Sequence, residues 1–393
     1  MDIKEILKNY DLNNITIGVL GGHSALDVCS GAKKMGFRTV CVARKGREKT
    51  YDKYYKSRNV NGRNVGCIDE VIPVKKFSDI INPEIQEQLR KLNTIFIHNR
   101  YFWVYFDNFE DVEKRFKVPI YGSRELLKLE ERDIPKNQYY LLEKAGIRIP
   151  KIYKTPELDF NKRNNKLLLK EDPNEELLRL SLTKVNNATR TYERENFVAQ
   201  GWNDWRHMAE SKINKKEITL EALQNSVIEE FILGAQINFN FFHSIITGEI
   251  ELLGTDMRRQ TGLDGWLRLP AKEQLKIPSN INPHQIETGH VAVTCKESLL
   301  EKGFVAAENF VKTCKKEAQE LIGPFALQGA IETDGKKEEL VVFDVSLRIP
   351  GSPGIGATPY MNYLHRSNVS TGERIAIEIK EALEQERLEE ILT

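Results

Sequence analysis

A chain of 393 residues is long enough for two or three domains with cores of their own, and its 58 basic against 57 acidic side chains leave a net charge of +1. That balance argues against a basic nucleic-acid groove and against an acidic tail. Five scattered cysteines (Cys29, Cys41, Cys67, Cys295, Cys314) form no CxxC pair, which points to reduced thiols and away from a zinc site.

The opening MDIKEILKNYDL reads as a charged amphipathic helix and not as a signal peptide. No apolar run reaches membrane length, so the expected setting is the cytoplasm, with no membrane partner. Next comes ITIGVLGGHSALDV, an apolar strand that stops at Gly21-Gly22-His23-Ser24 and feeds a helical pattern. Backbone N–H groups and the His23 and Ser24 donors could hold an anion there, or the glycines could simply turn the chain. A dinucleotide fingerprint needs G-x-G-x-x-G, which GGHSAL lacks.

Strand and helix then alternate through RTVCVARKG, EVIPV, NTIFIHNR and VPIYG. This rhythm predicts a doubly wound parallel sheet over residues 1–125, with ligands at the carboxyl ends of its strands. His98, Asn99, Arg100 and Tyr101 follow TIFI directly and read as pocket lining, beside Trp103 and Tyr105.

From residue 126 the character changes. A helical stretch ends near Pro150, and β-rich pieces with polar hairpins follow, among them SLTKVNN, ENFVAQ, SVIEEFILGAQINFNFFHS and EIELLGTDMRR. Two long helices, near 296–322 and 371–391, are expected to cover this sheet. Lys184 reads as ending a strand, with no partner visible, before a loop carrying Arg190, Tyr192 and Arg194. One lysine and two arginines suit phosphates, and a surface hairpin explains them equally simply. In VIEEFILG, Glu229 and Glu230 cannot both be buried unpaired, and alternation points one of them to solvent. The run LQGAIETDGKKEELVVFDVSLRI reads as a hairpin through Asp334-Gly335 with Gln328 and Asp344 on its two arms. Oxygen ligands on adjacent strands suit Mg²⁺ with nucleotide phosphates, and a structural pair between Asp344 and Arg348 is the alternative.

These pieces, in this order, resemble the archaeal formate-dependent ligases of the ATP-grasp superfamily that act on 5-aminoimidazole-4-carboxamide ribonucleotide (AICAR). The segments carrying the resemblance run from ITIGVLGGHSALDVCSGAKKMGF through KEQLKI, ETGHVAVTCKESLL, IGPFALQGAIE and ELVVFDVSLRI to STGERIAIEIKEAL, nearly the whole chain. The resemblance implies an ATP-grasp module over residues 126–393 with nucleotide between its two subdomains, after an N-terminal substrate-binding domain. It implies ATP- and formate-dependent formylation of AICAR in purine biosynthesis, through formyl phosphate, in a homo-oligomer.

Residue by residue, His23 matches the AICAR-binding histidine. Tyr101 falls where the family has a substrate-contacting serine, and His290 where it often has asparagine. Glu229, Glu230, Phe231 and Ile232 match the strand lining the adenine, and Gln260 takes the place of a nucleotide-contacting glutamate. Gln328 and Asp344 match two ligands for magnesium or manganese, the second with a shortened carboxylate. Lys184, Arg190 and Arg194 are the candidates for phosphate chemistry, the family's glycine-rich loop being replaced by NNATRTYERENF. A paralogous ligase with another amine or acid, or a nucleotide-binding regulator, stays open as an alternative.

Overall fold

The computed structural model describes residues 3–106, 108–132, 134–161, 163–170, 180–186, 188, 194–260, 268–276 and 287–393. The first half holds five parallel strands, β1 (Thr16–Leu20), β2 (Arg38–Arg44), β5 (Glu70–Val74), β6 (Thr94–Ile97) and β7 (Ile120–Tyr121), in the order β5-β2-β1-β6-β7. A small exposed hairpin, β3 (Arg58–Val60) and β4 (Arg63–Val65), interrupts the alternation. All five expected strands form, because runs such as Thr16–Leu20 are buried on both faces and no polar side is needed. The chain winds from β1 outward to β5 and then returns to the other side of β1. The sheet therefore reverses direction between β1 and β6, and a crevice opens there at the carboxyl ends.

A four-stranded sheet follows, ordered β12-β11-β13-β8: β8 (Ile152–Tyr153), β11 (Ser181–Asn186), β12 (Arg194–Ala199) and β13 (Val227–Glu230). The hairpin β9 (Leu158–Asn161) and β10 (Lys166–Leu169) lies beside it in sequence, and Trp205 fills its core. The last sheet is antiparallel, β16-β15-β14-β17-β18, from β14 (Ala235–His243), β15 (Ile250–Gln260), β16 (Glu287–Val293), β17 (Gly323–Thr333) and β18 (Glu338–Ser346).

Alternation splits the antiparallel sheet into two unlike faces. Ile237, Phe239, Phe241, Phe325, Leu327 and Val345 pack against Ala306, Ala307 and Phe310 of the helix Glu297–Glu317. The residues between them (Asn238, Asn240, Asp256, Arg258, Gln328, Asp344) face the other way.

The second long helix departs from expectation. Thr371–Glu384 packs chiefly on the helix Ala25–Lys34 of the first half, because Ile375, Ile379 and Ala382 share one core with Val28 and Ala32. The Gly372 amide donates to the Asp27 carboxylate at 2.9 Å. The chain end then extends the parallel sheet: Ile120 and Thr393 exchange backbone bonds of 3.0 and 2.8 Å beside β7. Arg374, 2% exposed, locks this helix to the antiparallel sheet through Glu251 at 2.7 Å, with Glu378 of its own helix at 3.0 Å and its guanidinium over the Phe242 ring.

Candidate active site

The crevice at the β1–β6 switch faces the polar side of the antiparallel sheet. Between them lies an open cleft lined among others by His23, Arg100, Arg258, His290, Gln328 and Arg348. Three guanidinium groups on its walls make it suited to an anionic ligand.

His23 stands directly after β1 in a left-handed backbone conformation (φ 43°). Its ring meets the Tyr101 edge with centroids 5.7 Å apart. Two glycines make room for this arrangement. A Cβ on Gly22 would lie 1.9 Å from the Tyr101 ring, and one on Gly351 would lie 2.1 Å from His23 Nδ1. Ser24, expected to face a ligand, is buried and donates to the Pro350 carbonyl, which ties the two halves together. Of the polar run after β6, only Arg100 lines the cleft. His98 Nδ1 sits 3.1 Å from the Tyr121 carbonyl, and burial holds that imidazole down to about 4. The Asn99 amide donates to the Leu20 carbonyl at 2.9 Å. Both residues brace the strand ends instead of lining a pocket.

On the opposite wall, β14, β15 and β17 place Asn238, Asp256 and Gln328 side by side. Asp256, 1% exposed, accepts from Asn240 at 2.7 Å and Asn238 at 3.0 Å, and lies 2.5 Å from His290 Nδ1. The alternating Asn in INFNFF and the Asp and Arg of GTDMRR are the sequence signal for this wall: polar side chains at period two inside otherwise apolar strands.

Gln328 and Asp344 do face each other across β17 and β18. The ladder slips by one residue here, and the bulge frees the Phe343 carbonyl to accept from Arg132 Nη2 at 2.8 Å and the Tyr139 hydroxyl at 3.1 Å. The Asp344 carboxylate takes Arg132 at 3.0 Å and lies 3.9 Å from Arg258, which donates to Gln328 Oε1 at 2.6 Å. Arg348 is not its partner; that guanidinium reaches Glu130 at 3.3 Å. Asp344 is also 28% exposed, so the cost of burying it is smaller than its place among apolar residues suggests. Two side-chain oxygens on paired strands fit a divalent cation whose remaining ligands are phosphates and water. They do not make a full protein cage, and no cluster of three His, Cys, Asp or Glu side chains able to hold a metal occurs among the described residues.

Lys184 lies inside β11, which runs on to Asn186, and it has a partner: its ammonium is paired with Glu229 of β13. Burial, with the Arg132 charge adding to it, pulls that ammonium down to about 8 against the attraction of Glu229. Glu229, 2% exposed, also accepts from the Tyr139 hydroxyl at 2.6 Å, and burial pushes that phenol well up, so it stays a donor. Glu230 is the half-exposed member of the two, as alternation requires. The Glu230 and Phe231 amides are committed to the Lys151 and Leu180 carbonyls. Arg190 lies outside the described residues; Arg194 begins β12 opposite Asn186, and Gln260 ends β15 opposite Glu287.

The fold is shared with ligases of the ATP-grasp type. N5-carboxyaminoimidazole synthetase from Staphylococcus aureus superimposes with a TM-score of 0.54 at 12% identity, over 95% of this chain and 79% of that one. The IMP biosynthesis protein PurP from Thermococcus kodakaraensis gives 0.66 at 25% identity, over 96% and 100%. In sequence, the 5-formaminoimidazole-4-carboxamide-1-(β)-D-ribofuranosyl 5'-monophosphate synthetase of Methanothermobacter thermautotrophicus is 34% identical, covering all of this chain and 98% of its own. Residues 17–153 match a family described as a protein of unknown function (DUF1246), and residues 204–393 a domain of unknown function (DUF1297). The chain belongs to the family of these ribonucleotide synthetases.

Proposed function

We propose that this chain formylates AICAR at the expense of ATP and formate, a step of purine biosynthesis, releasing ADP and phosphate. The observation that carries the reading is a single cleft in which His23, His290 and Gln328, drawn from three distant parts of the chain, stand together among arginines. The synthetases that share its full length support the same reaction. In this reading residues 1–125 present the ribonucleotide, with its phosphate toward Arg100 and toward Arg348 of the second half, and His23 flanks it with Tyr101 packed against the His23 ring. Residues 126–393 hold ATP, with Glu229 to Ile232 along the base through their carbonyls and the Ile232 amide, and Gln260 nearby.

Lys184, with Arg190 and with Arg194 at the start of β12, neutralises the phosphates. Gln328 and Asp344 would hold magnesium or manganese together with those phosphates, and the ion supplies charge neutralisation at the transferring phosphoryl group. Formate attacks the γ-phosphorus to give formyl phosphate, and the exocyclic amine of AICAR then attacks the formyl carbon and expels phosphate. The reading also carries a cytoplasmic homo-oligomer with small-molecule substrates. Measuring ADP release with formate and AICAR supplied singly and together tests it: release only with the pair supports the assignment. A second reading, another amine in place of AICAR, is favoured by the Tyr101 ring where a serine is expected; stimulation by that amine with AICAR inert would select it.

A further inference from the structure

The carboxyl edge of the parallel sheet concentrates charge that the chain as a whole lacks. Residues 44–56, which leave β2, and residues 75–79, which leave β5, carry eight basic side chains against three acidic ones, a net +5 in a chain of net +1. Arg44, Lys45, Arg47, Lys49, Lys75 and Lys76 are all exposed. Among the described residues, the one ion pair in these segments joins Lys56 to Asp52 at 3.7 Å. Like charges gathered without partners repel one another, a cost that an ordinary mixed surface avoids. This edge flanks the cleft. The Gly21 amide donates to the Val42 carbonyl and the Lys45 amide to that of Val74, both at 2.8 Å, so the ends of β1, β2 and β5 lie side by side. A Cβ on Gly21 would lie 2.8 Å from the Tyr51 ring, which packs the loop after β2 against the turn that carries His23. Burial raises the Tyr101 phenol while Arg47 and Arg100 oppose it, so both charges act on the ring that meets His23. Positive charge thus runs from the exposed edge to Arg100, Arg258 and Arg348 on the cleft walls.

We propose that this basic edge draws the ribonucleotide into the cleft by its phosphate; this rests on the formylation reading above. A phosphate monoester carries close to two negative charges at pH 7. Several cations of one sign beside a cleft with low-dielectric walls raise the concentration of such an anion at its mouth, by about 10–10³-fold in association rate. None of the six exposed side chains lines the cleft, so they act over a distance on the approach of the substrate and not on the reacting atoms. ATP, held in that reading by Lys184 and the strand β13 of the second half, is not the ligand this edge serves.

The test reverses the charge at three exposed positions together, Lys45→Glu, Lys49→Glu and Lys75→Glu, and compares this variant with the neutral one carrying Gln at the same three. At low salt the reversed variant should lose about tenfold in kcat/KM for AICAR with kcat unchanged, and the neutral variant should fall between it and wild type. At about 0.5 M salt the three proteins should converge, since charges separated by more than a few ångströms are then screened. The matching nucleoside, which lacks the phosphate, should inhibit all three equally, and the ATP KM should stay within about twofold. An unchanged kcat/KM at low salt would overturn the proposal. So would a loss that persists at high salt, one shared by the nucleoside, or one equally large for ATP. A wild-type protein that releases ADP with formate and another amine while AICAR stays inert would instead refute the formylation reading, and the proposal would fall with it.

Discussion

Replacing Lys184 by methionine keeps most of the side-chain volume and deletes the charge that faces Glu229. That carboxylate is 2% exposed and would retain, among the described residues, the Tyr139 hydroxyl at 2.6 Å as its hydrogen-bond donor, with the Arg132 charge nearby. Removing one member of a buried pair costs about 3–5 kcal/mol, since the remaining charge stays desolvated; this is about two to three and a half powers of ten in the folding equilibrium. The loss is electrostatic, so it should be repaired electrostatically. Glu229→Gln added to Lys184→Met preserves a hydrogen bond to Tyr139 and removes the orphaned charge, and should recover most of the stability. Nucleotide binding should not recover, because the phosphates still lack their lysine. Urea unfolding followed by tryptophan fluorescence reads the first quantity, through Trp205 in the core of the same sheet, and calorimetric titration with ATP reads the second. If Lys184→Met unfolds within 1 kcal/mol of wild type, or the double variant is no more stable than the single one, the pair is not what holds Glu229 in place, and the reasoning is wrong.

The same lysine predicts a pH dependence. Its value of about 8 lies below the ordinary 10.5 through burial and Arg132, with Glu229 and Asp344 opposing, so in ligand-free protein its charge fades as pH rises through 8. ATP affinity should therefore weaken above pH 8 in wild type and stay level in Lys184→Arg. His23→Ala should weaken AICAR binding by about 1.5–3 kcal/mol, tenfold or more, with ATP affinity unchanged by calorimetry. Gly351→Ala, whose new Cβ would meet His23 Nδ1 at 2.1 Å, should displace that ring and reproduce the AICAR defect without the His23 change. Arg374→Ala leaves Glu251 and Glu378 without their guanidinium and should cost about 3–5 kcal/mol in thermal or chemical unfolding, with formate activation per folded molecule intact.

Much of the frame was legible because it depends on local patterns. Short apolar runs alternating with helical patterns marked the five parallel strands, and Gly-Gly-His at the end of the first put His23 at the crevice. Asp334-Gly335 marked the hairpin that carries Gln328 and Asp344. The partners of the site residues were not legible, because each pair spans strands or helices far apart in the chain. Lys184 looked unpaired, and its counter-charge Glu229 sits 45 positions away on a strand that is its neighbour only in the folded sheet. His98 and Asn99 looked like pocket residues because nothing local shows that the carbonyls of Tyr121 and Leu20 claim them.

The hairpin shows where the division falls. Turn chemistry alone determines that the two arms pair, and counting back from Thr333 opposite Glu338 leads correctly to Gly329 opposite Val342. One step further the same count would set Gln328 against Phe343, an apolar ring beside a polar cleft. The observed bulge skips that residue, turns its carbonyl to Arg132 and Tyr139, and brings Asp344 opposite Gln328. Hydrophobic period and turn residues act over a few positions and so are written in the sequence. A slipped ladder is decided by which distant donors come to rest against the freed carbonyl, and only the packed chain brings them there.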